Sequence, residues 1–180
     1  MSKYKNAPPW QAIKIPASNL PPHINKVSCV VHELDVENAP RYQSDSEHTW
    51  CNIFVTDVIT AMGFEPGHWV DPDGNKAKQG AGQELTANLL TRWLLAVGPN
   101  KGWVEGDKQT ATDAARRGHL CVAAWDSRGT GSGHVAILLP EGTIAQAGRT
   151  NFLGGTVAEG FGNLPVLYFI QAQTGIRHGK

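Results

Sequence analysis

Three residues of this 180-residue chain have types and spacing that could do chemistry together: Cys51, His134 and Gln146. A cysteine thiolate is a strong nucleophile. An imidazole takes and returns protons near neutral pH. A side-chain amide can accept from one ring nitrogen and hold the imidazole in a single tautomer, which leaves the other nitrogen for a thiol. Nucleophile, base and orienter are the three roles of covalent acyl-transfer catalysis. Taken singly, each residue has a plainer explanation. A free cysteine is often a small buried hydrophobe, and a lone histidine is often only hydrogen-bonded. The elements that would position them decide the matter.

Cys51 opens a segment whose apolar residues are Cys51, Phe54, Val55, Val58, Ile59 and Met62. They recur at i, i+3, i+4, i+7, i+8 and i+11, the stripe of an amphipathic helix. Thr49 is the expected N-cap, and Gly63 stands where a helix ends in a left-handed residue. A thiol in that first turn meets unpaired N–H groups and the positive end of the helix dipole, so easy ionisation is expected. His134 follows Gly131-Ser132-Gly133 and opens the strand His134–Leu139. A turn at Pro140-Glu141-Gly142 returns the chain as Thr143–Ala147, which sets Gln146 on the neighbouring strand of a hairpin. A polar residue within Ile144-Ala145-Gln146-Ala147 wants a partner.

The rest of the chain supports these elements. Strands are expected over Lys26–Asp35, His119–Trp125 and Val166–Ile170. Helices are expected over Glu84–Val97, closed by Gly98 and Pro99, and over Ala111–Arg117, opened by a Thr110/Asp113 capping box and ended by Gly118. Helices come first and a meander of strands follows, which argues an α+β fold with an antiparallel sheet. Residues 1–26 hold five of the eleven prolines and read as an N-terminal arm; residues 27–180 form the domain. The formal net charge is zero, which argues against nucleic acid as a partner. Three cysteines, an odd number, argue free thiols made in a reducing compartment. The N-terminus carries no apolar run of a Sec-type signal, and no stretch reaches the roughly 20 apolar residues of a membrane span.

The chain resembles the NlpC-type and CHAP-type cell-wall peptidases, which share a papain-like core. Cys51-Asn52-Ile53-Phe54-Val55 matches their Cys-x-x-Phe-Val helix start. Gly118-His119-Leu120-Cys121-Val122 is similar to their Gly-x-Leu-Val strand, with one residue inserted. Gly133-His134-Val135-Ala136-Ile137 matches the strand that opens on the catalytic histidine, and Gln146 occupies the place of the third polar residue. Pro40-Arg41-Tyr42 is a loose counterpart of a Pro-Tyr segment upstream of the nucleophile. The likeness covers roughly residues 40–150. Trp50 and Asn52 depart from the usual Asp and Ser that flank the nucleophile.

The resemblance implies an α+β, papain-like domain, with the nucleophile helix packed on a small antiparallel sheet. It implies hydrolysis of an amide bond in peptidoglycan, by an endopeptidase or amidase, with no metal or organic cofactor. Cys51 would attack, His134 would act as base and then acid, and Gln146 would hold the ring. The Cys51 backbone N–H would serve the oxyanion, and Tyr42 would position the thiolate or line the oxyanion site. Trp50, Asn52, Trp69, Trp125 and Asn151 are candidates for the substrate cleft. The expected partners are peptidoglycan peptide stems. A wall enzyme made without a Sec signal would act in the periplasm or wall after release or injection. A phage lysis enzyme and an antibacterial effector with an immunity protein both fit. Three other readings compete: a zinc module built from Cys29, His32, His48 and Cys51; an inactive interaction module; and a thiol acyltransferase on the same core.

Overall fold

The computed structural model describes residues 5–9, 11, 13, 26–129 and 131–172. The architecture is α+β. A six-stranded antiparallel sheet comprises β3 (Trp103–Gly106), β4 (Cys121–Trp125), β5 (His134–Leu138), β6 (Ile144–Gln146), β7 (Phe152–Gly155) and β8 (Leu167–Gln171). Their spatial order is β3-β8-β4-β5-β6-β7. A separate ribbon pairs β1 (Trp69–Val70) with β2 (Gln83–Glu84). The helices are α1 (Lys26–Leu34), α2 (Cys51–Ala61), α3 (Ala87–Ala96), α4 (Lys108–Arg116) and α5 (Val157–Phe161).

Strand alternation divides the core in two. Val122, Ala124, Val135, Ile137 and Ala145 pack with α1, α2 and α3. Cys121, Ala123, Ala136, Leu138 and Ile144 pack with α4 and with Phe161 of α5. The sheet is thus a middle layer, and α2 lies against β5 on one side of it.

Several boundaries differ from expectation, each for a local reason. Lys26–Leu34 is a helix, not a strand. Its buried residues Val27, Val30, Val31 and Leu34 recur at i, i+3, i+4 and i+7, so period outweighs the β-propensity of three valines. The N-cap of α2 is Trp50, without a side-chain cap, rather than Thr49. Helix α3 begins at Ala87, where the Thr86 side chain accepts from the Leu89 N–H; Gly98 and Pro99 open a short 3-10 turn rather than ending the chain's helical course. Helix α4 starts earlier than Ala111, because Asp107 is its cap and accepts from the Thr110 N–H. Gly63 does take the left-handed conformation at φ +83°.

Of the expected N-terminal arm, residues 1–4, 10, 12 and 14–25 lie outside the described residues. The described part is fastened to the domain at Arg41. The Arg41 N–H donates to the Lys5 carbonyl at 3.2 Å, and its guanidinium donates to the carbonyls of Ala7 and Pro8. Arg41 also forks onto the buried Asp57 carboxylate at 2.7 and 3.0 Å. Among the described residues no helix is long and apolar enough to cross a membrane.

Candidate active site

Cys51 is the first residue of α2 and is 3 % exposed. A helix start leaves backbone N–H groups without intrahelical partners. Because no side chain caps α2, those of Cys51 and Asn52 remain available, and both favour the thiolate. The Val135 N–H and the Thr49 hydroxyl join them. Burial nevertheless dominates and pushes the Cys51 thiol above its ordinary 9.0, with these donors only partly offsetting it. The expectation of easy ionisation is reversed: removing water from the sulfur costs more than four donors restore.

His134 and Gln146 meet across the hairpin. Leu138 pairs with Ile144 and Ile137 with Ala145. This register sets Gln146 near Ala136, and His134 lies two residues further along the same face, within diagonal reach of a long side chain. The imidazole Nε2 and Gln146 Oε1 are 2.6 Å apart. Gln146 Nε2 donates to the Thr150 carbonyl at 3.0 Å, which fixes the amide's orientation and makes Oε1 the atom facing the ring. An amide oxygen only accepts, so the neutral imidazole carries its proton on Nε2 and keeps its lone pair on Nδ1. The Phe161 ring packs edge-on to the imidazole with centroids 4.8 Å apart. Burial, the larger effect, lowers the His134 pKa below its ordinary 6.5, and the Gln146 hydrogen bond partly raises it again.

Cys51, His134 and Gln146 all wall one cavity of about 700 Å³, together with Trp50, Asn52 and Asn88. The thiol and imidazole reach it from opposite layers. Cys51 belongs to the core that includes Val135 and Ile137, whereas Phe161, against His134, belongs to the other. Among the described residues no hydrogen bond links Sγ to the imidazole.

Other expected residues are placed differently. Tyr42 does not line the cavity; it is buried, and its hydroxyl donates to Asp57 Oδ2 at 2.8 Å. Asn151 does not line it either. Its amide donates to the carbonyls of Val36 and Tyr42 and its oxygen accepts from the Gly148 N–H, so it ties the β6–β7 turn to the segment before α2. Trp69 lies beside a separate 50 Å³ cavity near Asp57, and Trp125 packs at the edge of the α4 core. Trp50 is in the wall, its indole N–H donating to the Gln43 carbonyl and its ring stacked on His48. Asn52 donates to the Leu85 carbonyl at 2.9 Å. Cys29, His32, His48 and Cys51 form no metal-holding group: among the described residues no three His, Cys, Asp or Glu side chains are placed to hold an ion.

Helix α5 was not expected, yet it covers the His134–Gln146 pair. Its signal is in the sequence: Thr156-Val157-Ala158-Glu159 is a capping box, and both of its reciprocal hydrogen bonds form. Asn88 carries no sequence signal of its own, since its partners lie 39 and 43 residues away.

No family model matches the chain, and no curated protein matches it.

Proposed function

We propose that this chain is a papain-like cysteine hydrolase that cleaves an amide bond of peptidoglycan. The observation that supports this best is the shared cavity: a helix-start thiol and an amide-held imidazole open into one space large enough for a peptide. The substrate class rests on the resemblance of the Cys51 and His134 segments to the NlpC-type and CHAP-type enzymes.

The reaction starts from a protonated thiol and a neutral imidazole, since burial moves the two pKa values apart. Catalytic hydrogen bonds commonly tighten only around bound substrate. As the Cys51 sulfur attacks the carbonyl carbon, its proton passes to His134 Nδ1. The oxygen takes up negative charge beside the N–H groups of Cys51 and Asn52. Collapse expels the amine, which takes the proton from His134 and leaves a thioester on Cys51. Water, deprotonated by His134, then releases the acid and restores the thiol. Gln146 accepts from Nε2–H throughout. It stabilises imidazolium less than a carboxylate would, so its main part is orientation.

The test is digestion of purified sacculi by wild type and Cys51→Ala, with released fragments identified by mass. Fragments ending in new amines and acids, absent with Cys51→Ala, are expected. Identical fragments from both would reject the assignment. Expression with and without a periplasmic signal peptide tests the compartment. Toxicity confined to the periplasm is expected of a wall target, and equal toxicity in both compartments argues against one.

A further inference from the structure

We propose that Asn88 is a positioning residue for His134, clamping the 126–133 loop that delivers β5 to the cavity. Asn88 stands in the first turn of α3, behind the Thr86 cap. Its Oδ1 accepts from the Ser127 N–H at 2.9 Å. Its Nδ2 donates to Ser127 Oγ and to the Gly131 carbonyl, each at 2.9 Å. Ser127 Oγ itself donates to the Gly131 carbonyl at 2.5 Å. One planar amide thus joins both limbs of the loop, three residues before His134.

The residue type is specified by the hydrogen bonds. One acceptor and two donors are needed on the same short side chain, which Asn offers and ionised Asp does not. The loop presses close: a Cβ at Gly133 would stand 2.3 Å from Asn88 Oδ1 and 2.6 Å from the Trp125 carbonyl. A side chain at 133 would therefore displace the clamp. Gly131 and Gly133 flank Ser132, and unclamped they would leave the residues before His134 with wide backbone freedom. Arg92, one turn along α3, forks onto Asp126 at 2.7 and 3.2 Å, but this pair is exposed on the arginine side and holds the loop weakly.

This inference rests on the reading of Cys51 and His134 as the reacting pair, and its test separates the two. The full chain is labelled with ¹⁵N, and wild type, Asn88→Ala and Asn88→Asp are compared. Asn88→Ala is expected to speed exchange of the Ser127 amide roughly tenfold, as one hydrogen bond is lost. The His134 ring signals should change from the single Nε2–H tautomer to a mixture. On peptidoglycan fragments kcat should fall roughly 10- to 100-fold, the scale of small misplacements, with KM little changed. Asn88→Asp keeps the acceptor for Ser127 N–H, so exchange protection stays and part of kcat returns. Wild-type ring signals and kcat in Asn88→Ala would overturn the proposal. A change in KM alone would also overturn it, because Asn88 would then contact substrate. If Asn88→Ala does not fold, Ser127→Ala removes the hydroxyl links and keeps the backbone one; wild-type ring signals there would overturn the proposal equally. If wild type releases no fragments from peptidoglycan, the ring signals still decide the positioning role, and only the proposed function fails.

Discussion

Gly160→Ala is the sharpest single perturbation of the site, because two effects predict opposite results. Gly160 lies inside α5, where alanine is intrinsically favoured by about 1 kcal/mol, so propensity alone predicts a more stable protein. The structure predicts a clash instead. A Cβ at 160 would stand 2.6 Å from Gln146 Oε1 and 2.5 Å from Ile144 Cδ1, against an ordinary contact distance of 3.4 Å. Relief requires about 0.8 Å of movement by Gln146 or by α5. Gly148 restricts the amide on its other side, where a Cβ would stand 2.9 Å from Gln146 Nε2. The 2.6 Å bond to His134 is the contact most exposed to that movement. A buried polar group left unpaired costs about 1–3 kcal/mol, which corresponds to about a five- to 150-fold loss of kcat if it appears in the transition state. The assay is kcat on solubilised peptidoglycan, alongside thermal unfolding. Gln146→Ala serves as comparator, and the double variant should lose no more than Gln146→Ala alone, because both act on one contact. A raised melting temperature with unchanged kcat would refute the reasoning, since α5 would then have accommodated the methyl without disturbing the pair.

Further outcomes follow from the same geometry. The pH profile of kcat/KM should have its acid limb below 6.5, since burial lowers the His134 pKa and protonation removes the base, and its alkaline limb above 9.0, where the buried thiol ionises; an alkaline limb below 9.0 would instead indicate a preformed thiolate–imidazolium pair, lost when the imidazolium gives up its proton. Alkylation of Cys51 by iodoacetamide should keep accelerating as pH rises through 9, and a plateau between pH 6 and 8 would contradict the raised thiol. Arg41→Met leaves the buried Asp57 carboxylate, among the described residues, with Tyr42 as its one side-chain hydrogen-bond donor and frees the carbonyls of Ala7 and Pro8, so denaturant unfolding should show a loss of about 3–5 kcal/mol; a loss under about 1 kcal/mol would mean that water replaces the guanidinium there.

Much of the scaffold was legible because its signals are local. The Cys51–Met62 stripe repeats with a helical period, and α2 runs Cys51–Ala61. The strands His119–Trp125, His134–Leu139 and Thr143–Ala147 correspond to β4, β5 and β6, since alternation and a Pro-Glu-Gly turn are properties of neighbouring residues. Where two local signals competed, the reading failed: three valines in Lys26–Leu34 suggested a strand, although their spacing is helical. The short strand β3 passed unnoticed because its pairing partner β8 lies far along the chain, and β7 because it is only four residues long and ends in two glycines, although it pairs with the neighbouring β6.

The candidate site divides along the same line. By itself the sequence determined that Cys51 starts a helix, that His134 starts a strand and that Gln146 stands on the next one. Those are statements about period and turns. Only the tertiary structure decided what surrounds each group. Tyr42 and Asn151 point their polar atoms at Asp57 and at backbone carbonyls, because segments distant in sequence offer those partners. Helix α5 and Asn88 reach the His134 hairpin and its loop from elsewhere in the chain. The sulfur is held protonated, against the pull of the helix N-terminus, because burial is set by layers that no window of sequence contains.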